Sequence, residues 1–308
     1  TAVGYNAVNA NTTGTANVAV GAYALDSSTT TNNSVAVGYY ALTTQTTGYN
    51  NVALGNYCLR YNTEGLENVA VGYNAMEDNT SGDYNTLIGQ SAGKNLTTGE
   101  NNTIIGRANA YSGTLTGDSN VVIGVNNGIS LSSGCENVIL GSSAGRCLTT
   151  GKRNIFMGYA AGYSLGGSNT GCHNIFMGEY VATLGTVTGT CNIGIGKCVF
   201  QNLKTASENV ALGIRVMGDT SACGCKNVVL GSCAGNRIST GYGNIFIGAE
   251  NTNMGGGEGA VTGHRNVSIG FGASVTDKTG SNQLAIGVGN TNWLRGDSNF
   301  DIYDKDGN

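Results

Sequence analysis

The sequence has no proline, one tryptophan and two histidines, and only 11% of its 308 residues are charged. Each shortage excludes something. Collagen needs abundant proline and glycine at every third position. A disordered tail needs low hydrophobicity and high charge, whereas 40% of this chain is apolar. No apolar run approaches the ~20 residues that span a bilayer, so no direct membrane insertion is expected. Fifteen basic residues against nineteen acidic ones, unclustered and with a formal net charge of −4, leave no footprint for nucleic acid. His173 and His264 lie on distant repeats, the carboxylates are scattered, and Cys172-His173 and Cys223-Gly224-Cys225 lack paired zinc-ligand spacing. No catalytic site, metal or cofactor is expected. Gly194-Ile195-Gly196 precedes no helix and is a poor phosphate loop. The sequence opens inside a copy of its own motif, Thr1-Ala2-Val3-Gly4, and so reads as a piece of something longer.

Glycine is abundant instead, with 51 residues. A Val-Ala-Val-Gly tetrad and its variants recur seventeen times, ending at Gly4, Gly21, Gly38, Gly55, Gly72, Gly89, Gly106 and on to Gly287, mostly 17 or 18 residues apart. The residue before each glycine is aliphatic or Met, and the residue three before it is Val, Ile, Leu or Thr. Positions two apart share a face of a strand, which predicts a short strand with these two side chains pointing into a core. Four before the glycine stands Asn in fourteen of sixteen complete copies, and seven before it a second glycine, also in fourteen. Asn17 with Gly21, Asn51 with Gly55, Asn68 with Gly72, Asn102 with Gly106 and Asn137 with Gly141 are the expected structural ladder. The second glycine is expected to supply φ > 0, and each Asn amide to bond local backbone or the Asn one level away. After the strand, Ala-Leu or Ala-Gly-x-x-Leu supplies another apolar contact in an extended or helical segment. Stacked at about 4.8 Å, such units build a parallel all-β solenoid, or β-roll, of about seventeen 17-residue coils and roughly 80 Å. The boundaries expected are a repeat shaft over 1–287 and a capping or junction segment over 288–308.

The middle residue of the strand is Ala in the first five copies and then Leu87, Ile104, Val122, Ile139, Phe156 and Phe176. Read as the outward face, it predicts an oligomer interface at Leu87, Ile104, Ile139, Phe156 and Phe176. Tyrosines cluster just after the strand glycine. Tyr5, Tyr39, Tyr73 and Tyr159 are the candidate surface-binding residues for a glycan or protein receptor, with packing along the ladder as the alternative. Threonine-rich turns invite an ice-binding reading, but the slot drifts to Ser132-Ser133, Leu115-Thr116 and Ala206. In the terminal segment, Arg295-Gly296-Asp297 matches a cell-attachment tripeptide that recurs by chance, and Asp304-x-Asp306-Gly307 hints at a calcium loop without its terminal Glu.

Asn33-Ser34-Val35-Ala36-Val37-Gly38 and Asn266-Val267-Ser268-Ile269-Gly270 resemble the head repeats of YadA-like trimeric autotransporter adhesins, repeats also found in phage tail-fibre proteins. The resemblance covers essentially residues 1–290 and implies a left-handed β-roll that forms a homotrimer. The longer coil with its Thr-Thr-Gly turn, and nine cysteines, depart from the adhesin heads. A chain threaded through an oxidising periplasm would risk premature disulfides, so the cysteines favour a virion tail fibre over a bacterial surface adhesin head. A self-assembling extracellular filament is a third reading. Cys172 and Cys191 fall at nearly stacked positions where a disulfide would fit, and their regular slots also suit small buried or turn residues. The expectation is a non-enzymatic fibre shaft on the virion surface, with receptor or glycan attachment.

Overall fold

The computed structural model describes residues 1–165, 167–218, 223–250, 261–275, 277, 279–289, 291–297, 299 and 301–304. The chain is an all-β parallel solenoid of about sixteen turns spaced near 17 residues, with no helix among the described residues. It comprises two compact units, Thr1–Arg153 and Asn154–Asn308. In the first, strands from β1 (Ala2–Val3) and β2 (Val18–Val20) to β9 (Val138–Ser142) pair in chain order and in parallel. The register never slips: Val18 faces Val35 and Val35 faces Val52. In the second, β10 (Ile155–Met157) to β17 (Leu284–Val288) repeat the arrangement. β18 (Thr291–Gly296) then runs antiparallel to β17, and β19 (Ile302–Asp304) antiparallel to β18. The change of direction falls where the sequence repeat stops.

The strands face opposite to expectation. Leu87, Ile104, Ile139 and Phe176 are fully buried within the single chain and Phe156 is 1% exposed, so these residues are core and not an interface. The flanking Val20, Val37, Leu54, Ile88 and Ile123 point outward, each between 36 and 39% exposed. The physical reason lies in the same coil, four residues after the strand glycine, where a second side chain meets the strand's middle residue. Their sizes are reciprocal. Ala19, Ala36, Ala53 and Ala70 go with Leu25, Leu42, Leu59 and Met76, all fully buried. Leu87, Val122 and Ile139 go with Gly93, Gly128 and Gly145, and Gly194 with Phe200. A Cβ on Gly93 would collide with the Leu87 side chain, and one on Gly194 would lie 2.7 Å from the Phe200 ring. In these pairs a small residue in one slot meets a larger one in the other, which keeps the thin core filled, as close packing requires.

Among the described residues no second strand or helix follows the glycine; the segment is a run of turns. Within it non-glycine residues adopt the left-handed region: Tyr23 and Leu25 at φ 59° and 50°, Tyr40 and Leu42 at 57° and 49°, and before the next strand Asn33 at 54°. Such conformations cost a side chain about 1–2 kcal/mol. The stacking offsets the cost, because it gives their amides partners one coil away: Tyr23 N–H donates to Tyr5 O at 2.9 Å and Leu25 N–H to Ala41 O at 3.0 Å. The glycine seven before the strand glycine has a different reason from the one expected. Gly48 does not adopt positive φ; a Cβ there would run into the Gly65 carbonyl of the next coil. Close approach of coils, rather than backbone sign, selects glycine at that slot.

Candidate functional site

The Asn slot forms a buried amide ladder. Asn51, Asn68, Asn102 and Asn137 are all fully buried. Asn68 N–H donates to Asn51 Oδ1 at 2.9 Å, and Asn102 Nδ2 donates to Asn85 Oδ1 at 3.1 Å and to Gly117 O at 3.0 Å. Asn137 continues it, its Nδ2 donating to Asn120 Oδ1 at 3.0 Å. At the start, Ser34 N–H donates to Asn17 Oδ1 at 3.0 Å. Ser34 interrupts the ladder, and Gln45 reaches in to donate to its hydroxyl at 3.2 Å. The strand glycines Gly21, Gly55, Gly72, Gly106 and Gly141, at φ between 115° and 139°, turn the chain away from the sheet. Each buried amide is satisfied by identical neighbours, so the slot is scaffold and offers nothing to a ligand.

The tyrosines are the exposed feature. Tyr5, Tyr39 and Tyr73 are 68, 40 and 50% exposed. They also pack along the stack: Tyr5 meets Tyr23 edge-on at 5.4 Å, Tyr39 meets Tyr57 at 5.5 Å, and Tyr57 meets Tyr73 at 6.0 Å. The two readings of these residues therefore coexist, since edge-to-face contact leaves one face of a ring open. Desolvation and the neighbouring Tyr40 hydroxyl push the Tyr39 phenol above its usual range. Tyr159, in the second unit, stands edge-on to Tyr180 at 5.1 Å.

Beside the first row lies a cleft of about 440 Å³ lined by Tyr39, Tyr40, Tyr57, Arg60, Tyr73, Asn74, Glu77 and Lys94. Arg60, Glu77 and Lys94 occupy one slot, five after the strand glycine, in three successive coils. The Arg60 guanidinium lies over the rings of Tyr40, Tyr57 and Tyr61 at 5.1, 5.2 and 4.8 Å. Glu77, only 8% exposed, receives Arg60 at 3.8 Å and Lys94 at 3.4 Å. Partial burial opposes the Lys94 charge, but Glu77, with Asp78 behind it, outweighs burial and holds the ammonium above its ordinary pKa. One buried acceptor in this wall, Asn74 Oδ1, accepts no hydrogen bond, and Glu77 Oε2 has only the Lys94 ammonium at 3.4 Å. Arg60, Glu77 and Lys94 escaped the sequence reading because they are 17 residues apart. Their alternating charge at a single slot was the available signal.

No disulfide joins the nine cysteines, Cys172 and Cys191 among them. Those two do sit on adjacent coils, Cys191 N–H donating to Cys172 O at 3.1 Å. Cys58 is buried and its thiol is pushed up to about 12 by desolvation. His264 stacks on Tyr242 at 4.0 Å and accepts its backbone N–H through Nδ1 at 3.2 Å, a packing role. No cluster of three His, Cys, Asp or Glu side chains suited to a metal occurs among the described residues. Arg295 and Gly296 are strand residues of β18, and Asp297 N–H donates to Asp301 O at 3.2 Å. Of the calcium-like segment, Asp306 and Gly307 lie outside the described residues. No helix is long and apolar enough to cross a membrane among the described residues. No family model and no curated protein matches the chain.

Proposed function

We propose that the chain is a non-enzymatic fibrous structural protein: the shaft of a phage or virus tail fibre, assembled as a homotrimer on the virion surface and carrying an attachment surface. The observation that supports it is the outward stripe of the strands. In the first unit Val18 and Val20, Val35 and Val37, Val52 and Leu54, and their equivalents up to Val138 and Leu140 form two unbroken columns of β-branched and aliphatic side chains. Eight rungs at roughly 100 Å² each, apolar except for the Thr86 and Thr103 hydroxyls, make on the order of 800 Å² of surface, the share one partner contributes to a standard interface and more than an isolated monomer ordinarily shows. A second copy of the chain is the fitting occupant, because its identical columns are complementary in spacing, coil for coil. The number three follows from the resemblance to YadA-like head repeats. Nine cysteines fit assembly in a reducing compartment better than passage through an oxidising one.

Light scattering on the purified chain tests this reading. The expected mass is three times the 31.3 kDa of one chain, and Val37→Asp with Leu54→Asp on the stripe is expected to give monomers that keep the β-rich circular dichroism. A monomer mass for the unaltered chain in dilute buffer overturns it.

A further inference from the structure

The cleft beside the first tyrosine row is built differently from the rest of the surface. Elsewhere among the described residues charges form simple exposed pairs, such as Arg153 with Glu136 and Lys197 with Glu179, or lie over one ring, as Arg265 over Tyr242. Here a guanidinium is fixed on three aromatic rings, at 4.8–5.2 Å from their centroids, and shares one buried carboxylate with an ammonium. Arg60 is held at 3.8 Å from Glu77, beyond hydrogen-bonding distance. Its planar fork of donors is therefore positioned without a hydrogen-bond acceptor among the described residues, held in place by the three rings and the nearby carboxylate.

We infer that this cleft binds an acidic sugar, a uronate pyranose unit of a polysaccharide. The three parts of such a ligand match three parts of the cleft. Its carboxylate is planar and fits the Arg60 fork in the bidentate manner that guanidinium favours, with Lys94 as second cation. Its apolar C–H face fits the open ring faces of Tyr39 and Tyr73, which the edge-to-face row leaves exposed. Its hydroxyl groups meet a lining of phenol, amide and ammonium groups that can pair with them. Charge decides between neutral and acidic sugars. Arg60, Lys94 and Glu77 leave the lining one positive charge in excess, which one carboxylate neutralises. The volume, about 440 Å³, lies within the range of small-molecule sites, about 300–1,000 Å³. This inference rests on the reading of the fibre as an attachment surface and gives that surface its ligand chemistry.

The test is calorimetric titration of the full chain with oligosaccharides of polygalacturonate, alginate and heparosan, their methyl esters, a maltohexaose control and a phosphorylated maltohexaose. At least one uronate is expected to bind, with its ester weaker by tenfold or more and affinity falling as salt rises. Arg60→Gln is expected to lose tenfold or more while circular dichroism and assembled mass stay unchanged, and Lys197→Gln, an exposed cation of the other unit, to change nothing. Equal binding of acid and ester, or tighter binding of the phosphorylated sugar, overturns the uronate assignment but leaves glycan attachment standing. No binding by any saccharide overturns both, while the light-scattering mass separately decides whether the fibre itself stands.

Discussion

Within the first unit, the coils over 18–85 and those over 86–153 build the same cross-section from different residues. The earlier coils have Ala at the middle of the strand, Leu or Met in the left-handed position four after the glycine, and Ser28, Gln45, Asn62 and Asn79 buried three residues further on. The later coils have Leu87, Val122 and Ile139 in the strand, Gly93, Gly128 and Gly145 in the left-handed position, and Leu96, Leu131 and Leu148 buried further on. The core stays filled in both, but polarity and strain differ. Left-handed Leu25, Leu42 and Leu59 cost about 1–2 kcal/mol each where glycine costs little. Every buried side-chain atom without a hydrogen bond in this unit falls between Asp26 and Glu77. The same fold thus has a stretch whose buried side-chain polar atoms are all paired and one that keeps unpaired buried atoms and left-handed leucines, and the candidate sugar cleft lies against the latter. Function drawn from the less stable part of a scaffold is a common arrangement.

The sharpest way to break the comparison is to convert one coil type into the other. Leu87→Ala alone is expected to destabilise by about 2–5 kcal/mol through the cavity left in the core. Gly93→Leu alone is expected to cost about 1–3 kcal/mol or more, since the new side chain collides with Leu87. Together they recreate the earlier coil, and the double variant is expected to be less destabilised than the sum by at least about 2 kcal/mol. Urea unfolding of the four proteins measures this, and strict additivity would show that the reciprocal sizes carry no packing meaning. Next in size is the amide ladder. Asn102→Ala removes the acceptor of Asn120 N–H and the donor to Gly117 O, an expected loss of roughly 3 kcal/mol. Asn62→Ala, in the polar slot seven after the strand glycine that these coils fill with Asn62 and Asn79, loses the Asn79 Nδ2 bond at 2.7 Å and its own bond to Gly65 O, roughly 2 kcal/mol. If Asn62→Ala proved the costlier, the earlier coils would depend on that polar slot more than on their core.

The repeat, the strand positions, the parallel stacking and the Asn ladder were legible because each depends on a slot filled by one residue type. The facing of the strand was not. Val-Ala-Val offers no polar side, so period-two alternation, which ordinarily fixes register, had no contrast to read. What decides the facing is a partner six residues on, Leu25 against Ala19 or Gly93 against Leu87, and only comparison of the two slots across coils exposes it. The left-handed tyrosines and leucines were equally hidden, because nothing in Tyr or Leu favours that conformation; the coil-to-coil hydrogen bonds impose it. The cleft was hidden for the related reason that Arg60, Glu77 and Lys94 meet only after stacking.

Smaller effects come from the orphaned atoms. Ser28 Oγ is buried and without a hydrogen bond, so Ser28→Ala is expected to leave stability unchanged or raise it by about 1 kcal/mol, because an unpaired hydroxyl gains nothing from burial. The same substitution at Ser34, whose hydroxyl accepts from Gln45 and from Asn51 N–H at 3.3 Å, is expected to lose about 1–2 kcal/mol. Equal effects at the two serines would erase the distinction between filled and unfilled polar slots.

The smallest expected effect concerns Cys58, which stands beside the strained Leu59 and donates its thiol to Ala70 O at 3.1 Å. Its thiol is held at about 12 in the folded chain, against an ordinary value of 9.0, because burial disfavours the thiolate. Between those two values the unfolded chain has lost this proton while the folded chain keeps it, so the unfolded state binds fewer protons and stability falls as pH rises. The contribution is fully present below about pH 9 and is lost progressively up to about pH 12. At pH 8 iodoacetamide is therefore expected to alkylate exposed Cys191 and Cys223 rapidly and Cys58 only through local opening of the earlier coils. Mass spectrometry of the alkylated peptides reads that opening directly. If Cys58 reacted as fast as Cys191, the earlier coils would be open far more often than their continuous hydrogen-bond ladder allows, and the contrast between the two stretches would be one of folding rather than of local strain.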